Sequence, residues 1–412
     1  MNTNRHRNAA IFFILLITLI DSHLNALAQV KPGIDVLIER RFDILQGKRV
    51  GLITNPTGVT SGLVSTVDVL HEAEAVHLVA LFGPEHGVRG NVLAGKAIAH
   101  YTDPKTGLPV YSLYGKVRKP TPDMLQNIDI LVYDIQDIGI RAYTYIYTMA
   151  LSMQAAAEKG IPFVVLDRPN PLGADRIEGP VLEKSFASFI GMYPIPYIYG
   201  MTVGELASYF NTEFGINCQL IVVPMKGYHR TMLWEDTGLQ WVAPSPHIPN
   251  PITAFFCAAT GIIGELRSVS EGVGYTLPFQ LIGQTWIDPD RLAEALNRRR
   301  LPGVYFRPCY FRPYYFAFRN KELGGVQIHI LDIQTFSPML VQLHLIDALL
   351  RLYPEKNIFR TKRIRQFDQA MGTDRVRKAL QRGQSPESII RSWQPAIEAY
   401  KRTRQKYMLY PQ

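Results

Sequence analysis

The chain has 412 residues, few cysteines and no cysteine pair of the kind that binds metal. Cys218, Cys257 and Cys309 lie far apart, and no C-x-x-C motif occurs. This spacing predicts neither a zinc site nor a disulfide framework. The apolar neighbours of each cysteine favour small buried side chains, and the odd number leaves at least one thiol free.

The signatures of several enzyme classes are also missing. No G-x-G-x-x-G follows the first predicted strand and no G-x-x-x-x-G-K-[ST] occurs, which disfavours a dinucleotide or P-loop phosphate site. Without a G-x-S-x-G elbow, the commonest α/β hydrolases and a serine-dependent esterase or amidase are disfavoured. Without H-E-x-x-H or a paired-histidine pattern, no metal is indicated. We therefore expect no metal and no other cofactor.

Long hydrophobic runs are scarce, and the clearest lies near the start of the chain. Residues 11–20 are apolar except for Thr18, follow two arginines and precede Ala26-Leu27-Ala28. The run is about half the length of a membrane span, and its flanks are typical of a secretory signal peptide. We predict a signal peptide over residues 1–28, cleaved after Ala28. No cysteine follows that position, so we expect a periplasmic or secreted protein without a lipid anchor.

The charge is unevenly distributed. The whole chain has 44 lysines and arginines, 35 aspartates and glutamates, and a net charge of +9. Residues 351–412 hold 15 of these cations and 5 of these anions, whereas the rest of the chain holds 29 and 30. We therefore expect no nucleic-acid partner for the rest of the chain. The basic C-terminal segment is either a solvated helical surface or a site of peripheral association with an anionic cell envelope.

The pattern of apolar segments predicts the fold. Short, almost continuously apolar strands alternate with helices, which is typical of a parallel sheet covered on both faces. We predict a Rossmann-like, doubly wound α/β catalytic domain over residues 30–250, a junction at the proline-rich Ala243–Pro251, and a smaller α+β domain over 251–412 that contributes to the cleft. The predicted strands are Arg49–Thr54, Val76–Phe82, Ile128–Asp134, Ile161–Leu166, Leu220–Val223 and 325–331. The predicted helices are Leu63–Glu72, Tyr143–Lys159, Thr202–Phe214, Pro338–Leu352 and Pro386–Tyr407.

Polar side chains follow three of the predicted strands, at the edge where a sheet of this class binds ligands. Carboxylates, an imidazole, guanidinium groups and aromatic rings would meet there, and paired carboxylates with rings are the equipment of glycoside chemistry. The residues are Glu85, His86 and Arg89 after the second strand, Gln136, Asp137, Arg141 and Tyr143 after the third, and Asp167, Arg168, Asn170 and Glu178 after the fourth.

A structural role is an open alternative for each of these groups. Glu85 could cap a helix, and a lone loop histidine such as His86 is commonly a satisfied structural group. Asp137 and Arg141 are four residues apart and could form a local ion pair. The Asp167-Arg168 pair could lock its loop in the same way, and the tyrosines near Tyr143 could serve packing.

The chain resembles the bacterial exo-β-N-acetylmuramidase family, a peptidoglycan-recycling glycoside hydrolase family, from about Gly33 to Tyr410. Seven blocks in the same order carry the resemblance: GPEHGVRG (83–90), GLPVYSLYG (107–115), DIQDIGIRAYTYIYTM (134–149), LDRPNPLG (166–173), IEGPVLE (177–183), YGMTVGELA (199–207) and WEDTGLQWVAPSP (234–246).

The resemblance implies a Rossmann-like domain joined to a smaller one, with the active site in a cleft between them. It also implies removal of N-acetylmuramic acid from the non-reducing end of peptidoglycan-derived saccharides in cell-wall turnover. Glu85 matches the proposed catalytic glutamate, with His86 and the DIQD and LDRPNP blocks completing the pocket. The second catalytic group stays open between Asp137, Asp167, Glu178 and Glu271, and a substrate-assisted route is equally open. The main alternative is a non-catalytic cell-wall sugar-binding protein.

The chain departs from the family in two blocks. Where many members have N-x-S-E-G-R-G-T, this chain has Ser268 and Val273 in place of the asparagine and the arginine, and it has His247 in place of the asparagine of S-P-N-M-P. Both departures could change substrate preference. The lactyl carboxylate of muramic acid requires a cation, preferably a guanidinium, and we expect one of Arg89, Arg141 and Arg168 to bind it.

Overall fold

The computed structural model of the chain describes residues 29–90 and 100–412. The predicted signal peptide, residues 1–28, lies outside the described residues. Within the described part, no helix combines the length and the apolar character that crossing a membrane requires.

A seven-stranded sheet forms the centre of the N-terminal half. Its strands stand in the order β3-β4-β2-β1-β5-β6-β7, all parallel except β3, which is antiparallel to β4. Without β3 this is the Rossmann order, with the chain reversing direction across the sheet between β1 and β5. The predicted α/β class is confirmed. The strands are β1 Arg49–Thr54, β2 His77–Gly83, β3 Tyr101–Thr102, β4 Pro109–Ser112, β5 Ile130–Asp134, β6 Phe163–Leu166 and β7 Leu220–Val223.

Helices cover both faces of this sheet because its strands are apolar on both sides. In β5, Leu131 and Tyr133 join the core on one face, whereas Ile130 and Val132 join the core on the other. The first core also contains residues of helices α3 and α4, and the second contains residues of α1 and α2. These helices are α1 Gly33–Glu39, α2 Thr66–Glu72, α3 Tyr145–Lys159 and α4 Val203–Glu213.

Helix α4 begins at the predicted capping box. The backbone N–H of Glu205 donates to the Thr202 hydroxyl at 3.3 Å, and the Thr202 N–H donates back to the Glu205 carboxylate at 3.1 Å. This exchange satisfies two amide groups that helix geometry leaves unpaired. The helix therefore starts where its sequence predicts.

The C-terminal half contains a three-stranded antiparallel sheet in the order β8-β10-β9. Its largest core includes α5 and α7, which pack against each other. The sequence did not predict α5, because its apolar residues surround the helix and give no amphipathic period. These elements are α5 Ile252–Gly264, β8 Leu281–Gln284, α6 Pro289–Asn297, β9 Val304–Phe311, β10 Leu323–Ile330, α7 Pro338–Leu352, α8 Ile364–Met371, α9 Arg375–Gln381 and α10 Pro386–Arg404.

The end of the chain returns to the N-terminal half. The Tyr400 hydroxyl donates to the backbone carbonyl of Tyr199 at 2.8 Å, and the N–H of Arg230 donates to the carbonyl of Pro411 at 2.9 Å. Tyr400 belongs to the core beneath α3 and α4. The last residues therefore cross the predicted division at residue 250, which itself stays a prediction.

Candidate active site

The turn after β2 has an unusual backbone. It is closed by a hydrogen bond from the N–H of Gly87 to the carbonyl of Pro84 at 3.0 Å. His86 has φ 74°, a left-handed conformation that non-glycine residues adopt rarely and at a cost of about 1–3 kcal/mol. Strain of this kind occurs preferentially at functional sites. The turn presents Glu85, which is half-buried, beside the buried His86.

Glu85 and His86 line a pocket of about 280 Å³ between the two halves of the chain. The first residue of α3 and the three residues before it contribute to the lining, as do the middle of the proline-rich segment and one thiol of α5. A volume just below the roughly 300–1,000 Å³ of typical small-molecule pockets suits a single sugar rather than a chain. The other lining residues are Ala142, Tyr143, Thr144, Tyr145, Ile190, Ser245, His247, Ile248, Cys257 and Phe279.

The carboxyl group of Glu85 affects the pKa of several neighbouring side chains. The Tyr114 hydroxyl is hydrogen-bonded to it, and burial followed by this contact raises the pKa of Tyr114 to about 12. Burial and the nearby His86 lower the pKa of His247, and the charge of Glu85 opposes them. Tyr145 is also within the electrostatic range of Glu85, and its hydroxyl donates to the carbonyl of Pro244 at 2.6 Å. Glu85 thus interacts with residues after β4, in α3 and in the proline-rich segment.

A second pocket of about 180 Å³ adjoins the first and shares His247 and Phe279 with it. Glu271 lines this second pocket, and burial raises its pKa to about 7. Its carboxyl group fills the space above Gly264 of α5, where a methyl group would overlap it. A carboxyl group with this pKa is partly protonated at neutral pH and could donate or accept a proton.

The structure therefore brings together Glu85, His86 and Tyr143 of the predicted site residues, with Glu271 in the adjoining pocket. The other eight predicted residues line neither pocket. Their side chains make contacts that explain their positions.

Asp137 and Gln136 lie beneath the site, in the buried layer of the sheet edge. The Tyr199 hydroxyl and the N–H of Gly139 both donate to Asp137 Oδ2. Burial raises the pKa of Asp137 to about 7. Gln136 Nε2 donates to the carbonyls of Asp137 at 2.8 Å and Pro169 at 2.6 Å. These residues shape the turn after β5, and neither side chain lines the pocket.

Asp167 joins several segments of the chain by hydrogen bonds. Its Oδ2 accepts hydrogen bonds from the hydroxyls of Thr202 at 2.7 Å and Tyr410 at 2.5 Å, and its Oδ1 accepts from the N–H of Arg168 at 2.9 Å and Gly204 at 2.7 Å. It is fully buried, and burial raises its pKa to about 6. These four donors account for its position, and its catalytic role stays a prediction.

Each of the three arginines predicted to bind the lactyl carboxylate already contacts other groups of the protein. Arg89 forms ion pairs with Asp68 at 3.1 Å and Asp103 at 3.0 Å. The buried Arg168 pairs with Asp134 at 2.5 Å. Both guanidinium groups already have carboxylate partners.

Arg141 is fully buried, and its guanidinium donates to four backbone carbonyls rather than to a carboxylate. The alternative ion pair with Asp137 is also absent from its contacts. Arg141 instead connects residues after β6 to the end of α8 in the other half. The accepting residues are Pro180, Ile195, Ala370 and Met371, at 2.7–3.0 Å.

Asn170 and Glu178 also hold the scaffold. Asn170 Nδ2 donates to the carbonyl of Met201 at 3.0 Å, and its Oδ1 accepts from its own turn. Glu178 Oε2 accepts from the Ser337 hydroxyl at 2.8 Å and from the N–H of Met339 at 3.1 Å, at the start of α7. Glu178 therefore caps a helix of the C-terminal half.

Sequence reasoning missed several pocket residues, among them Ser245, Ile248 and Phe279, and it noted His247 only as a departure from the family. The available signal was the proline-rich segment, since a cleft between two domains must be lined by the junction that joins them. His247, in the middle of this segment, lines both pockets. Its Nε2 lies 2.8 Å from the Tyr315 hydroxyl, which comes from the loop between β9 and β10.

Two further features bear on the location of the site. No group of three or more histidine, cysteine, aspartate or glutamate side chains within residues 29–90 and 100–412 is arranged to hold a metal ion. A larger cavity, about 750 Å³, lies between α9, α10 and residues 180–183, and none of the predicted site residues lines it. The smaller pocket is the better candidate because it combines a strained turn with carboxyl, imidazole and phenol groups.

The fold and the pocket together define a Rossmann-like α/β protein with a sugar-sized, carboxyl-bearing cleft. Two family models match the chain: exo-β-N-acetylmuramidase NamZ, N-terminal, over residues 50–252, and exo-β-N-acetylmuramidase NamZ, C-terminal, over residues 256–410. The chain therefore belongs to the exo-β-N-acetylmuramidase NamZ family.

Individual relatives agree with this assignment. The peptidoglycan β-N-acetylmuramidase NamZ of Bacillus subtilis (strain 168) is 49% identical over 382 residues, which cover 93% of this chain and 92% of that protein. Two crystal structures of DUF1343 family proteins from Bacteroides fragilis NCTC 9343 are similar to it. One is 49% identical with a TM-score of 0.88, and the other is 31% identical with a TM-score of 0.74. Each comparison covers 93% of this chain and 99% of the other.

Proposed function

We propose that this protein is an exo-acting glycoside hydrolase that removes N-acetylmuramic acid from the non-reducing end of peptidoglycan fragments during cell-wall turnover. Family membership supports the reaction class. The observation that carries the assignment of the site is the placement of Glu85 on a strained turn, in a pocket with room for one sugar. Such a pocket suits removal of single terminal units.

Glu85 is the proposed general acid. Cleavage of a glycosidic bond requires a proton on the departing oxygen while positive charge develops at the anomeric carbon. Glu85 is half-buried at the pocket wall and accessible to a leaving group, and the Tyr114 hydroxyl fixes its orientation. His86 and Tyr143 complete the wall around the sugar.

Glu271 is the proposed second catalytic group. Of the four candidates, Asp167 is surrounded by protein donors, Asp137 is buried without lining either pocket, and Glu178 caps α7. Only Glu271 lines one of the two adjoining pockets. Its raised pKa, about 7, suits a group that exchanges a proton near neutral pH.

The test of the general acid compares two leaving groups. Glu85→Gln preserves the shape of the side chain but cannot protonate the departing oxygen. We expect kcat/KM on the disaccharide N-acetylmuramyl-N-acetylglucosamine to fall about 10²- to 10⁴-fold. On 4-nitrophenyl N-acetylmuramide the loss should be smaller, because nitrophenolate departs without a proton.

Glu74→Gln is the matched control, since Glu74 is exposed near the opposite end of β2. It should leave both rates unchanged. Equal losses on both substrates in Glu85→Gln would argue against acid catalysis. Tight sugar binding without hydrolysis by the unaltered protein would favour a non-catalytic sugar-binding role.

Export is the second part of the proposal. The charged, apolar and small-residue regions of residues 1–28 support a cleaved signal peptide and a periplasmic or secreted location. N-terminal sequencing of the protein from cell fractions should find Gln29 as the first residue outside the cytoplasm. An intact N-terminus confined to the cytoplasmic fraction would contradict it.

Peripheral association with the anionic envelope is the third part. Arg382, Arg391 and Arg402 are exposed and pair with no carboxylate among the described residues. The triple substitution to glutamine should weaken co-sedimentation with anionic vesicles or sacculi, and salt should weaken it in the unaltered protein. The same substitution at Lys116, Arg300 and Arg319 removes equal charge elsewhere and is the control. Equal effects of the two triple variants would contradict a role of this segment.

A further inference from the structure

The second pocket contains two arginines with different surroundings. Arg363 is engaged: its Nη2 lies 2.9 Å from Glu265 Oε2, and its Nε donates to the carbonyl of Glu265 at 2.7 Å. Arg267 is exposed and makes no ion pair or side-chain hydrogen bond with any residue in the described part of the chain. Arg267 is therefore the guanidinium that this pocket offers to a ligand.

An aromatic ring holds Arg267 at the pocket. Its guanidinium carbon lies 4.9 Å from the centre of the Phe316 ring, within the range of a cation–π interaction. A flat ring of this kind orients the planar guanidinium and leaves its N–H groups at the edge free to donate. Both Arg267 and Phe316 line the second pocket.

The loop that carries Phe316 contacts a residue of the Glu85 pocket. Tyr315, the preceding residue, is within 2.8 Å of His247 Nε2, and His247 lines both pockets. A ligand in the Glu85 pocket therefore has the Arg267 pocket directly beside it. The contact relates the position of the guanidinium to that of the catalytic carboxyl group.

The chemistry of muramic acid requires a cation at such a place. N-acetylmuramic acid differs from N-acetylglucosamine by a lactyl ether that ends in a carboxylate. An anion in a partly desolvated cleft is stabilised best by a guanidinium that donates two parallel hydrogen bonds. Arg89, Arg141 and Arg168 are engaged elsewhere, as described above.

We infer that Arg267, oriented by Phe316, binds the lactyl carboxylate of the muramic acid residue held in the Glu85 pocket and so determines specificity for muramic acid. The inference rests on the proposed function and adds the residue that distinguishes the two amino sugars. Glu271 lies within the electrostatic range of Arg267, but burial raises the pKa of Glu271 to about 7. Below neutral pH Glu271 is therefore mostly protonated and leaves the guanidinium charge to a ligand.

The experiment measures three 4-nitrophenyl glycosides: the N-acetylmuramide, the same sugar with its lactyl group capped as a methyl amide, and the N-acetylglucosaminide. Arg267→Gln should lower kcat/KM on the first about 10- to 100-fold more than on the other two. Arg267→Lys keeps the positive charge but cannot donate two parallel hydrogen bonds. Its kcat/KM on the N-acetylmuramide should lie between those of the unaltered protein and Arg267→Gln. The inhibition constant of free N-acetylmuramic acid should rise in Arg267→Gln, and that of N-acetylglucosamine should not.

Arg300→Gln is the matched control. Arg300 is also exposed, also follows a helix, and has the same φ of 51° as Arg267. It should behave as the unaltered protein on all three substrates. Unchanged preference and unchanged inhibition in Arg267→Gln, with the unaltered protein active on the muramide, would overturn the inference alone. An unaltered protein that hydrolyses no muramide would overturn the proposed function together with it.

Discussion

Individual residues at the sheet edge divide into those that face the cleft and those that hold it in shape. His86 adopts a left-handed backbone beside Glu85 at the pocket, whereas Asp137 and Asp167 lie one layer deeper and accept hydrogen bonds from hydroxyl and amide groups. All four are polar residues near strand ends. The environment of each, rather than its chemistry, separates the two groups.

The buried carboxyl group of Asp137 predicts a pH-dependent stability. Burial raises its pKa from 3.8 to about 7 in the folded protein. Between these values the folded chain binds a proton that the unfolded chain has released. The stabilisation due to this group is therefore complete below pH of about 4 and is lost as the pH rises toward 7.

Asp137→Asn removes this titration while retaining an oxygen that can accept from Tyr199 and Gly139. The free energy of unfolding of the variant, relative to the unaltered protein, should rise by up to about 1.4 kcal/mol per pH unit between pH 4 and 7. Urea unfolding at four pH values measures it. The exposed Asp290→Asn is the control, and parallel pH profiles for Asp137→Asn and the unaltered protein would contradict the prediction.

Helix ends, at the scale of elements, connect the two halves of the chain. The end of α8 presents the carbonyls of Ala370 and Met371 to the guanidinium of Arg141, which comes from the turn after β5. Gly372 follows directly with φ 84°, and a methyl group on it would overlap that guanidinium. The glycine serves both the helix end and the close approach of the arginine.

Gly372→Ala should destabilise the protein by about 3 kcal/mol or more. Left-handed strain accounts for about 1–2 kcal/mol, and the displaced, buried guanidinium adds the cost of lost hydrogen bonds. Gly383→Ala is the control, because Gly383 has φ 76° but no atom near the position of a new methyl group. It should cost only the backbone strain. Equal free energies of unfolding for the two variants would show that the contact with Arg141 is unimportant.

At the scale of the whole molecule, the C-terminal residues bind to the N-terminal half. The Tyr410 hydroxyl accepts from the N–H of Met225 at 2.9 Å and donates to Asp167 Oδ2 at 2.5 Å, beneath the central sheet edge. The basic C-terminal segment, residues 351–412, thus also connects the two halves by hydrogen bonds. Its charge and its packing are separate properties of the same residues.

Tyr410→Phe should lower the free energy of unfolding by about 1–3 kcal/mol, because it leaves a buried carboxyl group and a buried amide without this partner. Tyr410 lines neither pocket, so KM should not change. Tyr314→Phe, at an exposed tyrosine of the loop between β9 and β10, is the control for thermal unfolding. A variant as stable as the unaltered protein would contradict a stabilising role of the Tyr410 hydrogen bonds.

Much of the fold could be predicted from local pattern. The strands at Arg49–Thr54 and Leu220–Val223 and the helix at Pro338–Leu352 have the predicted bounds, and α4 has the predicted cap. Elsewhere the ends differ by one to three residues, as at β5, which begins at Ile130 rather than Ile128. Helix α5 escaped prediction because a helix buried on all sides has no polar face.

The sequence by itself determined the class of the fold and the turn that carries Glu85, because apolar runs and glycine-rich turns are local properties. Only the tertiary structure decided which polar residues face the cleft. Arg141 and Asp167 resemble site residues in the sequence, yet backbone carbonyls and hydroxyls distant in the chain surround them. Arg267 gave no signal in the sequence and His247 only a departure from the family pattern. Both line the pockets because the two halves meet there. Burial and partner groups depend on long-range packing, and no local pattern contains them.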